Sequence, residues 1–291
     1  MWLVLAFCSA FLLGLYDTSK KAALKDNAVL PVLFLNTVFC TLIFSWYLSG
    51  SASDASLMTW QNHIRLIIKS TIVLSSWICG YIALKHLPIT VVGPINASRP
   101  MMVLVGAMLI FGERLNLWQW GGVLLSIFSI FLLSISSHRK EDVDLKWLWC
   151  TVAAAVLGAI SGLYDKYIMK SMDPLFVQSW YNLYQALMMA VVCLLMRWIP
   201  KSRGVAVDEF RWNWAIPLIS IFISIADFCY FSSLSRPGSM ISIVSLVRRS
   251  SVIVSFVCGL LIFNERRNLK AKIFDLSMIL AGMLMIWIGS R

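Results

Sequence analysis

Three arginines and three aspartates stand where a chain this apolar can least accommodate them. Arg99, Arg248 and Arg249 fall inside long apolar runs, as do Asp17, Asp165 and Asp227. An ionisable group within such a run is costly to keep, so each is a functional candidate by default. Arginine's planar fork grips a carboxylate or phosphate bidentately and stays charged when desolvated, which makes the three arginines candidates for holding an anion. The aspartates are candidates for taking up and releasing a proton, because burial disfavours a carboxylate while a neighbouring cation favours it. Each reading has a structural alternative. Asp227 or helix-end carbonyls can neutralise the arginines, and Asp17 and Asp165 can pair with Lys20, Lys21 or Lys166.

Polar neighbours extend both sets. Ser242, Ser245, Arg248, Ser251 and Ser255 recur at steps of three or four, which aligns hydroxyls and a guanidinium along one helix face. That face suits water and a solute better than lipid, and Arg249 lies about 100° round from it. Asn96 sits one turn before Arg99, and Asn182, Tyr184 and Gln185 offer further hydrogen bonds. Tyr16 and Tyr164 precede two of the aspartates and bring an apolar ring with a polar tip. Gly14 and Gly162 let helices approach closely. Trp77 and Trp180 can stack on a solute or serve as packing and interfacial anchors. Pro94 and Pro100 predict a kink that frees backbone carbonyls. The candidate binding set is therefore Arg99, Arg248, Arg249, Asn96, Tyr16, Tyr164, Ser245, Trp77 and Gln185, with Asp17, Asp165 and Asp227 as candidate proton carriers.

The elements that must position these groups follow from composition. Of 291 residues, 59% are hydrophobic and 13% charged, with a mean hydropathy of +0.80, whereas soluble domains run about 45–50% apolar and about 25% charged. A soluble globular fold is excluded. The apolar stretches are also longer and more continuous than the alternating strands of about 10 residues in a membrane barrel. The class is an all-α integral membrane protein. Runs bounded by charge, Gly or Pro predict ten helices, near 1–24, 28–48, 65–86, 88–111, 117–136, 147–171, 174–198, 214–235, 239–263 and 270–290. At about 20 residues per span, ten spans leave no room for a soluble domain. The first run, from Trp2, has no basic residue before it and no A-x-A site after it, which predicts a retained helix rather than a cleaved signal.

No cofactor or metal is expected. His63, His86 and His138 stand far apart, and the seven cysteines (Cys8, Cys40, Cys79, Cys150, Cys193, Cys229, Cys258) form no CxxC and read as small buried hydrophobes. Neither HExxH nor GxSxG occurs, so an intramembrane protease or lipid-phosphate hydrolase finds no motif. The net charge of +11 would suggest nucleic acid in a soluble protein, but in a chain this apolar it reports topology.

Two short segments recur. Gly14-Leu15-Tyr16-Asp17 reappears as Gly162-Leu163-Tyr164-Asp165, and Phe111-Gly112-Glu113-Arg114-Leu115-Asn116 as Phe263-Asn264-Glu265-Arg266-Arg267-Asn268, at offsets of 148 and 152 residues. Two matches in the same order at nearly one offset predict two five-helix repeats, 1–136 and 147–291, joined by a linker loop at 137–146. An odd number of helices per repeat sends the second into the membrane from the opposite face, so the repeat is inverted, with a central cavity between the halves. Glu113-Arg114 and Glu265-Arg266, at helix ends, read as loop-fixing pairs.

The segment Ala83-Leu84-Lys85-His86-Leu87-Pro88, the Arg99-Pro100 helix and the Phe-Gly-Glu-Arg-Leu closure at 111–115 resemble the first EamA-type half of the drug/metabolite transporter superfamily, and Ser233-Leu234 through Glu265-Arg266 resembles the second. The resemblance implies ten helices, a central cavity and solute translocation without ATP hydrolysis. The run Arg248 to Ser255 is also similar to the ninth helix of plastid sugar-phosphate translocators, in which an adjacent basic pair holds the substrate phosphate.

Setting aside the three mid-helix arginines, fifteen of the remaining Lys and Arg fall on one face and seven on the other, namely Arg65, Lys69, Arg114, Lys166, Lys170, Arg236 and Arg291. The poorer face carries both termini, which the positive-inside rule makes extracytoplasmic. The sequence thus predicts a multi-pass protein of the plasma (bacterial inner) membrane that moves a small polar, anionic metabolite by alternating access. Its partners would be that solute and the lipid bilayer, with no nucleic acid, while proton coupling and a homodimer stay open. An amino-acid or drug exporter, a lipid-linked-sugar flippase and, at greater distance, a membrane-embedded enzyme are the competing readings.

Overall fold

A computed structural model describes residues 1–24, 27–51, 58–86, 95–96, 98–135, 145–198, 210–262 and 269–289. Among the described residues the secondary structure is helical, in keeping with apolar runs whose backbone groups must be satisfied within each segment. The helices are α1 (Trp2–Leu24), α2 (Val29–Ile43), α3 (Ser45–Ser51), α4 (Trp60–His86), α5 (Arg99–Phe111) and α6 (Leu117–Ile135), followed by α7 (Leu145–Ile168), α8 (Pro174–Trp198), α9 (Ala215–Ser235), α10 (Ile241–Arg249), α11 (Ser251–Ile262) and α12 (Leu269–Gly289). Three stretches, Trp2–Leu24, Lys146–Ile168 and Ala215–Ser235, are long and apolar enough to cross a membrane by length and composition. Large apolar side chains such as Leu109, Leu261 and Leu284 point outward from the bundle, as a lipid-facing surface requires.

The sequence-predicted helix bounds need three corrections. The run at 28–48 is divided at Phe44, whose backbone leaves the helical region at φ −100°, ψ 8°. The run at 65–86 begins at Trp60, a turn and more earlier. The run at 239–263 is broken at Ser250, whose Oγ donates to Val247 O at 2.5 Å while its N–H donates to the same carbonyl at 3.1 Å. A serine that bonds its preceding turn competes with the helix ladder in this way. Residues 87–94 of the run at 88–111, Pro94 among them, lie outside the described residues. In the part that is described, Ser98 Oγ donates to Ile95 O at 2.6 Å just before α5 begins. Pro100 falls at the second helical position, where its missing N–H costs nothing. Arg99, Arg248 and Arg249, expected mid-helix, therefore stand at helix ends beside breaks in the chain's ladder.

Packing pairs elements from opposite ends of the chain. α1 packs on α9, α4 on α7, α2 on α8, α5 on α10 and α6 on α12; α1 also packs on α11, and α5 on α7. Serines tie two of these pairs: Ser9 Oγ donates to Ala226 O at 2.7 Å and Ser76 Oγ to Ala154 O at 2.8 Å. The largest apolar cluster gathers Leu3, Val103, Phe176, Phe231, Leu234 and Ile241 with their neighbours and closes one end of the bundle. The cysteines are free, and only Cys40 is buried; Cys8 is exposed and the other five are half-buried, contrary to the expectation of seven buried thiols. A thiol is apolar enough to sit on a lipid-facing surface as readily as in a core.

The two glycines of the repeated segment do different work. A Cβ on Gly14 would stand 2.5 Å from Val254 Cβ and 2.7 Å from Ser251 O, so α1 meets the α10–α11 break through this glycine, and Ser255 Oγ donates to Gly14 O at 3.2 Å. A Cβ on Gly162 would meet only Val103 Cγ2 at 3.8 Å and Tyr230 Oη at 3.9 Å. Gly14→Ala should therefore destabilise by about 1–3 kcal/mol through overpacking. Gly162→Ala should be neutral or stabilise by up to about 1 kcal/mol, since a helical glycine is entropically costly. Thermal unfolding of the two variants in detergent separates them.

Glu113 is not fixed to Arg114. It crosses to α10, accepting from Ile241 N at 2.7 Å, Ser242 N at 3.2 Å and Ser242 Oγ at 2.5 Å. A carboxylate here satisfies amides that the helix leaves unpaired and complements its positive end. Beside it, Lys166 Nζ donates to Ser239 O at 2.7 Å and Leu234 O at 3.2 Å and bonds Ser239 Oγ. Glu113→Ala should lower the melting temperature by the equivalent of about 1–2 kcal/mol, the usual worth of a helix cap. Glu265 and Arg266 lie outside the described residues.

Candidate functional site

A cavity of about 450 Å³ lies among α1, α2, α4, α5, α7, α8, α9, α10 and the start of α11. All three arginines and all three aspartates singled out by the sequence surround it. The breaks beside Arg99 and Ser250 explain how cations from α5 and α10 come to one cavity, because each charge leaves its helix at an interrupted end.

The charges are arranged in linked pairs. Arg248 forms an ion pair with Asp227, and its guanidinium lies 4.2 Å from the centre of the Tyr230 ring. Tyr230 Oη donates to Asp165 Oδ2 at 3.3 Å, and Asp165 is in turn ion-paired with Lys69. Lys69 Nζ also lies 4.5 Å from the Tyr181 ring and 4.8 Å from that of Phe231. The run Lys69–Asp165–Tyr230–Arg248–Asp227 thus joins α4, α7, α9 and α10. Asp17 on α1 lies within electrostatic reach of Lys20, Arg248 and Arg249. Arg99 Nη2 donates to Ala154 O at 3.0 Å and its guanidinium rests against Gly158 of α7. Around the cavity five cationic side chains, Lys20, Lys69, Arg99, Arg248 and Arg249, face the three carboxylates of Asp17, Asp165 and Asp227.

Other expectations divide. Tyr16, Trp77, Gln185 and Ser245 line the cavity, as does Ser251. Ser242 and Ser255 do not, because the first bonds Glu113 and the second bonds Gly14 O, so the serine stripe reaches the cavity only near the α10–α11 break. Tyr164 is not among the residues around the cavity. Its Oη donates to Arg65 O at 3.3 Å and its ring packs on Tyr167, because Asp165 occupies the inward direction and a neighbouring residue is turned about 100° away. Asn96 is also outside the lining set, with a buried Oδ1 that has no hydrogen-bond partner among the described residues. Trp180 joins His63, Phe176 and Tyr184 in an aromatic cluster, with Tyr184 Oη and His63 Nδ1 2.9 Å apart.

Two lysines were misread as face charges. Lys69 is 2% exposed and Lys166 8% exposed. The partner of Asp165 is Lys69, not Lys166, which the expected ion pairs had included. Lys69 lies only one turn inside the predicted run 65–86 and so reads as a charge at a span end, but the helix begins at Trp60, which sets Lys69 more than two turns inside it. Tyr181, Tyr230 and Gln178 also line the cavity without having been singled out, although Asn182 and Gln185 of the predicted run 174–198 were; Gln178 lies one turn before Asn182 and Tyr181 one turn before Gln185.

The model of the EamA-like transporter family matches residues 1–135 and 145–288. A chloroplastic WAT1-related protein of Arabidopsis thaliana is 27% identical over 175 residues, 58% of this chain and 41% of the relative. An uncharacterized transporter of Pseudomonas aeruginosa is 28% identical over 119 residues, 40% of this chain and 39% of the relative. The match thus spans about two-fifths of the length of each of these curated relatives. A crystal structure of a protein superposes with a TM-score of 0.72 at 16% identity, covering 97% of this chain and 94% of the other, a likeness of fold.

Proposed function

The chain belongs to the EamA-like transporter family, and we propose that it is a secondary transporter that moves a small polar anion, phosphorylated or carboxylate, by alternating access. The observation that carries this reading is the surplus of cationic over carboxylate side chains around the cavity. Low-dielectric walls make such a surplus count for more than it would in water. Arg99, Arg248 and Arg249 hold the anion, with Lys20 and Lys69 contributing to the field. Asp165 and Asp227, each engaged by a cation, are the groups a coupling proton would release, and Asp17 is the third candidate.

The movement rests on a ten-span, two-repeat reading of the chain, 1–136 and 147–291. Helix pairing supports it. Exchange of the two halves turns the α1–α9 pair into α7–α4 and the α1–α11 pair into α7–α5, while α2–α8, α5–α10 and α6–α12 map onto themselves. A pattern unchanged by that exchange is what an inverted repeat produces, with the site between the halves. The protein is placed in the plasma (bacterial inner) membrane with both termini extracytoplasmic, following the Lys and Arg bias.

A thermal-shift screen of the purified protein against metabolites sorted by charge tests the substrate class, since a solute at about 100 times its Kd stabilises by about 2.7 kcal/mol. The stabilising solutes should be anionic, and Arg249→Gln should abolish proteoliposome uptake of them. Stabilisation by neutral or cationic solutes alone would refute the reading, as would unchanged uptake by Arg249→Gln of every anion the wild type binds. Arg249 is the better probe than Arg248, whose removal strands Asp227.

A further inference from the structure

Among the described residues, three uncharged side chains around the cavity hold atoms that no hydrogen bond pairs: Gln178 Oε1, Asn182 Nδ2 and both amide atoms of Gln185. Gln178, Asn182 and Gln185 occupy positions i, i+4 and i+7 of α8, so they form one stripe. Their exposures are 1%, 8% and 2%, and Ser224, opposite on α9, is 2% exposed. Gln178 Nε2 donates to Ser224 O at 2.7 Å, which fixes the amide with its oxygen left over. The stripe therefore presents an acceptor at Gln178, a donor at Asn182, and both at Gln185.

Such groups are unfavourable when buried dry, so water or a ligand must satisfy them. A ligand that displaces the water without restoring its hydrogen bonds loses affinity. The stripe also stands on a different wall from the arginines. α8 packs chiefly on α2 and α4, and also on α3 and α9, whereas α5 and α10, which carry Arg99, Arg248 and Arg249, pack chiefly on each other and on α7 and α1, with α9 bordering both groups. The arginine wall is cationic, whereas the three side chains of the stripe are neutral and hydrogen-bonding, with Lys69 lying over the Tyr181 ring of the same helix.

We propose that the α8 stripe is the subsite for the uncharged part of the transported anion, and that this part bears hydroxyl or amide groups rather than hydrocarbon. The inference rests on the cavity's being the transport site. It makes Gln178, Asn182 and Gln185 specificity-determining residues, because a site that offers buried polar groups rejects analogues unable to pair with them.

Four probes in a two-by-two design test charge and hydroxylation separately: inositol monophosphate, cyclohexyl phosphate, inositol and cyclohexanol, each titrated against the melting temperature of the full-length protein in detergent. Inositol monophosphate should reach half its full stabilisation at a concentration about tenfold or more below that of cyclohexyl phosphate. Gln185→Met, which keeps the side chain's length and removes both polar atoms, should close that gap mainly by weakening the inositol compound. Equal potency of the hydroxylated and bare members on the wild type overturns the proposal without recourse to any variant, and so does an undiminished preference in a folded Gln185→Met protein. Phosphates no more potent than their neutral counterparts would overturn the anion reading instead, and the inositol against cyclohexanol comparison would still decide the stripe. Stabilisation by none of the four overturns both.

Discussion

Replacing Lys69 with alanine is expected to destabilise the protein by about 3–5 kcal/mol, the usual consequence of stranding one member of a buried ion pair. The side chains of Lys69 and Asp165 are 3% and 8% exposed, so bulk water reaches neither. Among the described residues, Tyr230 Oη at 3.3 Å is the remaining hydrogen-bond donor to Asp165, and it carries no charge to offset the carboxylate. Asp165→Leu should cost a similar amount by leaving Lys69 among the rings of Tyr181 and Phe231. The double variant Lys69→Met/Asp165→Leu should be far less affected than the sum of the two, because apolar residues of similar volume often replace a buried pair at little cost. Melting temperatures for the four proteins form a double-mutant cycle. An interaction energy near zero would show that the two charges do not sustain each other. The same double variant bears on coupling: if Asp165 carries a proton during transport, counterflow exchange should persist while accumulation driven by a pH gradient is lost.

The contrast between this pair and the arginines marks what the sequence disclosed. A charge in the middle of an apolar run is conspicuous, and Arg99, Arg248, Arg249, Asp17, Asp165 and Asp227 all reach the cavity. Asp227 was legible as a counter-ion to Arg248 or Arg249 because all three lie inside predicted apolar helices, 214–235 and 239–263. Lys69 was concealed by its closeness to a predicted span end, where lysines ordinarily report topology. Its partner is 96 residues away in the other half, a distance that local spacing cannot bridge. The helix breaks at Ser98 and Ser250 were concealed for a related reason: hydropathy responds to burial, and both breaks keep their residues buried or half-buried. Tyr164 shows the converse error, in which a repeated motif was taken to imply a repeated environment. Tyr16 faces the cavity and Tyr164 faces the carbonyl of Arg65.

Arg99→Ala should weaken anion binding about a hundredfold, or about 2.7 kcal/mol, a loss typical of removing one partner from a desolvated charged contact. Its guanidinium is held from two sides. Ala154 O accepts from Nη2 at 3.0 Å, and the absence of a side chain at Gly158 lets Cζ and Nη1 lie where a Cβ would be 2.8 and 2.9 Å away. Gly158→Ala must therefore push the guanidinium aside by some tenths of an ångström without displacing any backbone, because the atoms it meets are the far end of a flexible side chain. The expected result is about a tenfold loss of affinity, near 1.4 kcal/mol. The melting temperature should hold or rise, since alanine is the better helix residue by about 0.5–1 kcal/mol. A protein that binds less while melting no lower separates positioning from folding. The double variant Arg99→Ala/Gly158→Ala should bind no worse than Arg99→Ala alone, because the methyl group acts only through the arginine it displaces. Isothermal titration with an anion from the charge-sorted screen measures all three. A further loss in the double variant, or full affinity in Gly158→Ala, would remove Arg99 from the binding wall and leave the cavity's charge surplus to Arg248, Arg249 and the two lysines.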